Sequence, residues 1–254
     1  MSFKVVIPAR FASTRLPGKP LLEIHGKPMV QWVVDAACQS HADEVLVATD
    51  DSRIASAVKN PRGTESLAML TGSEHRSGTD RIAEVAIRCK WPAETVVVNV
   101  QGDEPQMPPQ LITPVAQLLL SNPQAHMSTL ATPIKSLEEF LNPNVVKVVG
   151  TASGMALYFS RAPIPWHRDG APGGISSQTQ FDGSHRHLGI YAYRVEALLR
   201  LTQLPAGKLE LAESLEQLRA LQSGMQIAIA TAVAQPGMGV DTPQDIERIR
   251  REFT

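Results

Sequence analysis

Cysteine is scarce, neither sign of charge predominates, and no long apolar run interrupts the sequence. Each absence removes a class of protein. The two cysteines, Cys38 and Cys89, have neither the spacing of a metal site nor that of a redox pair. Cys38 continues the apolar series Val30, Val33, Val34, Ala37, and Cys89 continues Ile82, Val85, Ala86, so both read as small core residues. Lys and Arg number 24 against 25 Asp and Glu, a formal net charge of -1. That balance gives no global attraction to nucleic acid or to an anionic membrane surface, so any anion must be met by a local cluster. No run reaches the roughly eighteen apolar residues needed to cross a bilayer. The opening "MSFKVV" lacks the apolar core of a signal peptide, so the cytoplasm is the expected compartment. Repeats, low-complexity tracts, a Walker A loop and a dinucleotide-type glycine turn are all missing.

What is present alternates. The chain has 254 residues, 43% of them hydrophobic, enough for one large α/β domain or one domain carrying a sub-domain. "FKVVIPA", "ADEVLVATD" and "ETVVVNVQGDEP" are short apolar runs rich in β-branched residues, which predict buried strands. Between them, "GKPMVQWVVDAACQS", "DSRIASAVKN" and "HRSGTDRIAEVAIRCK" carry helical stripes, the last with Ser77 or Thr79 as N-cap. Strand and helix alternating at this spacing predict a parallel sheet with crossover helices.

Farther along, "PPQLITPVAQLLLSN" predicts a helix and "AHMSTLATPI" a strand. "NVVKVV" and "MALYFSRAPIP" then predict an antiparallel hairpin, and "RHLGIYAY" another strand. Residues 167–184, rich in Gly, Ser, Gln and Asp, read as a mobile loop, either a lid over substrate or a linker. "LAESLEQLRALQSG" predicts one helix with Leu211, Leu215 and Leu218 on a single face, and "MQIAIATAV" a strand. "GVDTPQDIERIRREF" closes the chain with Thr242 as N-cap, Pro243 at the first helical position, and Ile246, Ile249 and Phe253 inward. The whole is read as one doubly wound α/β domain whose residues from about 133 to 225 form a smaller, partly antiparallel inserted lobe.

Ligands of open parallel sheets bind beyond the carboxyl ends of the strands. There the first loop, "IPARFASTRLPGKPL", offers small residues that let backbone N–H groups approach an anion, together with Arg10, Arg15 and Lys19. A triphosphate carries about four negative charges, and dispersing them calls for such a cluster and a metal ion. A solvated basic loop stiffened by its prolines is the plainer account. Asp103 in "NVQGDEP" and Asp241 in "GVDTP" both sit at predicted strand ends, where two carboxylates can converge on a hard cation such as Mg2+. Ordinary turn and cap aspartates are the alternative.

Eight segments carry a more specific likeness: "IPARFASTRLPGKPL", "HRSGTDR", "VNVQGDEP", "NPNVVKVV", "YFSRAPIPW", "RHLGIYAYR", "LEQLR" and "GVDTPQD". In this order, over essentially the whole chain, they resemble the 3-deoxy-manno-octulosonate cytidylyltransferases. The resemblance implies a Rossmann-like nucleotidyltransferase fold, a homodimer, and a Mg2+-dependent coupling of CTP to Kdo that yields CMP-Kdo and pyrophosphate for lipopolysaccharide synthesis. It implies a phosphate loop of Arg10, Ser13, Arg15 and Lys19, with Ser77, Gly78 and Arg81 beside the nucleotide. It implies metal ligands Asp103 and Asp241, and a sugar-acid pocket of Gln101, Arg161, His187, Tyr191, Glu216 and Gln217.

Physical chemistry supports part of this. Arg161 offers a fork for the sugar carboxylate, and Gln101, Glu216 and Gln217 can exchange hydrogen bonds with its hydroxyls. Against it stand Arg161 paired with a protein carboxylate, Tyr191 as a core residue and His187 as a structural histidine. Three functional alternatives also stand: activation of 8-amino-Kdo, a CMP-sialate synthetase, and a catalytically idle nucleotide-binding regulator.

Overall fold

The structure is a computed structural model describing residues 2–12, 16–237 and 239–252. The chain begins with β1 (Lys4–Ala9), passes a short hairpin of β2 (Glu23–Ile24) and β3 (Lys27–Pro28), and enters α1 (Met29–Cys38). Then come β4 (Glu44–Thr49), α2 (Ser52–Ala57), β5 (Ala68–Leu70), α3 (Gly78–Arg88) and β6 (Val96–Asn99). α4 (Ile112–Leu120) leads to β7 (Met127–Pro133), α5 (Leu137–Leu141), β8 (Lys147–Gly150) and β9 (Ala156–Ser160). The long strand β10 (His185–Arg194) is followed by α6 (Val195–Gln203), α7 (Lys208–Glu213), α8 (Gln217–Gln222), β11 (Ile227–Thr231) and α9 (Pro243–Glu252).

The main sheet runs β11-β7-β10-β6-β1-β4-β5. All of these strands are parallel except β10, which runs against both β6 and β7. The β8–β9 hairpin branches from the start of β10. Alternation within the strands explains the layers. Val5, Ile7 and Val98 meet α1 and α4 on one face, while Val6 and Val97 meet α3 and α6 on the other. Both faces are therefore covered by helices, the doubly wound α/β fold that the sequence predicts. Cys38 and Cys89 pack, half-buried, against opposite faces of this sheet. At the chain's end, Ile246 and Ile249 of α9 pack on Ile24 and Met29; Phe253 lies outside the described residues. Among the described residues no helix is long and apolar enough to cross a membrane.

Residues 133–225 supply the β8–β9 hairpin, β10 and the helices α5 to α8. Within them one expectation is corrected. The single helix predicted across Leu211, Leu215 and Leu218 is broken: Ser214 adopts a left-handed backbone (φ 51°) between α7 and α8. Leu215 and Leu218 are buried, but Leu211 is 68% exposed. α7 stops where it does because the Glu213 carboxylate turns to accept from Ser160 Oγ (2.6 Å) and the Arg161 N–H (2.9 Å) at the end of β9. The loop 167–184 contains two short 3-10 turns and buries Gly170, Ala171 and Gln178.

Candidate active site

Strand order reverses around β1, whose successor β4 lies on one side and β6 on the other. That reversal opens a cleft at the carboxyl ends of the strands, here about 240 Å³ and bounded by Arg10, Lys19, Ser77, Gln101, Asp103 and Asp241. The walls come close because residue 102 has no side chain. A Cβ on Gly102 would lie 2.7 Å from the Pro8 carbonyl oxygen, which real Cβ atoms do not tolerate.

Lys19 is the hub. Its ammonium is nearly buried and donates to Asp103 Oδ2 (2.7 Å) and Asp241 Oδ1 (3.2 Å). The two acids, far apart in sequence, meet because Val240 N–H donates to the Asp103 carbonyl at 3.0 Å. Beyond Asp241, the helix α9 is capped reciprocally: Asp245 accepts the Thr242 N–H (2.9 Å), and its own N–H reaches Thr242 Oγ1 (3.3 Å). Two carboxylates already surrounding one positive charge are donors that a hard divalent cation accepts, with outside oxygens completing its shell. Among the described residues no group of three or more His, Cys, Asp or Glu is placed to hold a metal, so the protein's own share would be Asp103 and Asp241. Beside them Glu104 is half-buried; burial, reinforced by the Asp103 charge, pushes its carboxyl up to about 8.

The opposite wall is the N-terminus of α3. Ser77, not Thr79, is the N-cap: its Oγ accepts the Asp80 N–H and Asp80 returns the bond to the Ser77 N–H, both at 3.1 Å. Thr79 instead donates to Glu216, whose carboxyl is raised by burial against the pull of Thr79, Arg219 and Ser77. Gly78 faces the cleft, and a Cβ there would lie 3.1 Å from Pro8 Cγ. His75 Nε2 lies 2.6 Å from Glu84 Oε2, which also accepts the Gly72 N–H at 2.8 Å. Burial works against Glu84, yet these bonds and Arg88 hold it below the usual carboxylate range. Arg76, between His75 and Ser77, is exposed on the cleft.

Arg81 also borders the cleft, but its guanidinium is directed into the protein. Nη2 binds Asp50 Oδ2 at 2.9 Å, and Nη1 binds Thr71 Oγ1 and the Gly72 carbonyl. Ser13 and Arg15 lie outside the described residues.

The expected sugar residues divide. Gln101 lines the cleft; Glu216 and the buried Gln217 open α8 behind α3. Part of the Arg161 fork is already taken, and among the described residues its side chain forms no ion pair with a carboxylate. Its Nε donates to the Glu213 carbonyl (2.7 Å) and its Nη1 to the Pro143 carbonyl (3.1 Å). His187 and Tyr191 sit side by side on β10, ring centroids 5.2 Å apart. Tyr191 is buried, and its hydroxyl has no hydrogen-bond partner among the described residues.

His187 lies edge-on to Phe159 (5.0 Å), with Nε2 3.0 Å from Thr129 Oγ1. Because that hydroxyl is 2.7 Å from the Ile190 carbonyl and donates there, Nε2–H is the donor to Thr129. Burial, and secondarily Arg186, push the ring's pKa down to about 3. The folded ring is thus neutral while the unfolded one takes up a proton near its ordinary value of 6.5. Its contribution to stability is complete above that value and declines as pH falls toward 3. We expect urea titrations to show this acid-side loss, and His187→Gln to reduce it; an unchanged profile would contradict a neutral buried ring.

Several residues at the site carried no assignment in the sequence: Asp50, His75, Arg76 and Glu104. The available signal was position. Asp50 directly follows β4, nearer its strand than Asp103 is to β6.

A family model described as "Cytidylyltransferase" matches residues 4–227, and the chain belongs to that family. Proteins named 3-deoxy-manno-octulosonate cytidylyltransferase are among its relatives. The one from Thioalkalivibrio sulfidiphilus (strain HL-EbGR7) is 50% identical, covering 99% of this chain and 98% of its own. The one from Nitrosococcus oceani (strain ATCC 19707) is also 50% identical, covering 99% and 96%. A solved structure of CMP:2-keto-3-deoxy-manno-octonic acid synthetase complexed with CTP is 42% identical with a TM-score of 0.85, covering 99% of this chain and 97% of that one. A cytidylyltransferase from Leptospira borgpetersenii serovar Hardjo-bovis (strain JB197), 14% identical with a TM-score of 0.58 over 98% of this chain and 84% of its own, shares the fold. The chain is an enzyme of the cytidylyltransferase type.

Proposed function

We propose that the enzyme transfers CMP from CTP to the anomeric hydroxyl of Kdo, giving CMP-Kdo and pyrophosphate for lipopolysaccharide biosynthesis. The observation that carries this is Lys19 held between Asp103 and Asp241 at a cleft that Arg10 also lines, in a chain half identical to enzymes named for this reaction. The hydroxyl oxygen bonds to the α-phosphorus, the bond to the β-phosphate oxygen breaks, and its electron pair leaves with pyrophosphate. The hydroxyl proton passes to solvent.

Arg10 and Lys19 offset charge on the transferring and leaving phosphates. Asp103 and Asp241 would hold Mg2+ together with phosphate oxygens. When bound, the ion supplies charge neutralisation and Lewis acidity. Ser13, Arg15, Ser77 and Gly78 are assigned to the nucleotide, and Arg81 acts behind them. For the sugar, Tyr191 offers an unspent buried hydroxyl beside the His187 ring, and Gln101, Glu216 and Gln217 are assigned to the same role. Arg161 is assigned to the sugar carboxylate through the N–H groups that it does not give to the Glu213 and Pro143 carbonyls. The enzyme is assigned to the cytoplasm as a homodimer; exposed Leu157, Trp166 and Ile175 on the lobe support a covered face.

The deciding experiment measures pyrophosphate release with CTP, UTP or ATP against Kdo, 8-amino-Kdo and sialic acid. Release from CTP with Kdo is expected. Release only with 8-amino-Kdo, or only with sialic acid, transfers the assignment to that sugar. CTP binding without release from any sugar identifies an idle regulator.

A further inference from the structure

Arg10 and Lys19 stand at the two ends of the first loop, yet both face one cleft. A narrow neck brings them together. Gly18 N–H donates to the Phe11 carbonyl at 3.1 Å, so the residues just outside that bond, Arg10 and Lys19, share one rim. Gly18 has a left-handed backbone (φ 69°), and a Cβ there would lie 3.3 Å from the Phe11 ring. Residue 18 is therefore restricted to glycine by conformation and by contact.

The neck is in turn gripped from the end of β4. Phe11 N–H donates to Asp50 Oδ1 at 3.1 Å, while Asp50 Oδ2 is held by the buried Arg81. The Phe11 ring lies beneath the Arg53 guanidinium, 3.6 Å from its centroid, and Arg53 is fixed by two bonds to Asp51 (2.9 and 2.6 Å). Every polar group of the Phe11 backbone is thus spent on holding the neck, and its ring is clamped as well.

We infer that Phe11, Asp50 and Arg53 are positioning residues that set the spacing of Arg10 and Lys19 for the phosphates. The inference rests on the proposed nucleotidyl transfer for its kinetic consequence, but not for its structural one. Small displacements of a stabilising group cost up to about 100-fold in rate, and exposed cation–π contacts are modest. We therefore expect kcat/KM for CTP to fall about tenfold in Phe11→Leu and severalfold in Arg53→Met. KM for Kdo should stay within about twofold, because these side chains act through the phosphate side. Arg53 is exposed, so its variant should melt with the parent.

A merely structural role would not produce the next result. In the double variant Phe11→Leu, Lys19→Ala, the losses should fall clearly short of multiplying, because Lys19 is one of the two cations that the clamp spaces. Amide exchange at Phe11 and Gly18 should accelerate about tenfold in Asp50→Asn and Phe11→Leu, with the β6 amides unchanged. Multiplying losses, or wild-type kcat/KM in both Phe11→Leu and Arg53→Met, would overturn the inference, as would unaltered exchange at both amides. A wild-type enzyme without turnover on any sugar would instead sink the functional assignment, and the exchange rates would still decide the clamp.

Discussion

Asp103→Ala is expected to lower kcat for pyrophosphate release from CTP and Kdo by about 100- to 1000-fold, the usual loss when one preorganised electrostatic group is removed from an active site. The side chain is 42% exposed, so folding should survive and the melting temperature should move little. Two things disappear with the carboxylate: one of the two acids that converge at the cleft, and the shorter of the two bonds that aim Lys19. Asp103→Asn separates them, since the amide oxygen still accepts from Lys19 but carries no charge. A loss in Asn close to that in Ala assigns the effect to charge; a mild loss in Asn assigns it to the aim of Lys19. Turnover within tenfold of wild type for Asp103→Ala would remove Asp103 from the reaction.

Lys147→Met is expected to cost about 3 kcal/mol of folding stability, read from urea unfolding. Lys147 is fully buried on β8, and its ammonium donates to three carbonyls: Asn142 (2.9 Å), Val145 (2.6 Å) and Arg161 (2.7 Å). Methionine fills the stem but leaves three buried acceptors, each costing about 1–3 kcal/mol unpaired. Relief of a buried charge offsets part of that. Burial also pushes the Lys147 pKa down to about 8 from 10.5, so the folded state loses this proton first. Through this group, stability rises with pH between those values, and the variant should lack that rise. A loss under about 1 kcal/mol would show that the three carbonyls find other partners.

How much was legible follows from what a one-dimensional pattern records. Strands β1, β4 and β6 are buried on both faces, so their composition alone marks them. The cap at Ser77 follows from a serine three residues before an acid. Asp103 lies in the turn after β6, as the sequence predicts, but the strand end expected at Asp241 is absent: β11 stops at Thr231, and Asp241 lies in the loop just before α9. The reversed direction of β10 left no trace, because an apolar run reads alike in either direction. Lys147 was hidden because its partners are backbone carbonyls, which any sequence supplies. The same holds for Arg161: two carbonyls, not a carboxylate, occupy its fork. The break at Ser214 escaped because the leucine spacing fits a helix whether or not the backbone continues.

That break has a mechanical result. An unbroken helix would set Glu213 and Glu216 on one side, nearly a full turn apart. With the corner in place, Glu213 grasps the end of β9 while Glu216 grasps Thr79 on α3. A single bent lever, with only Ser214 and Leu215 between its two grips, thus joins the hairpin to the wall beside the nucleotide cleft.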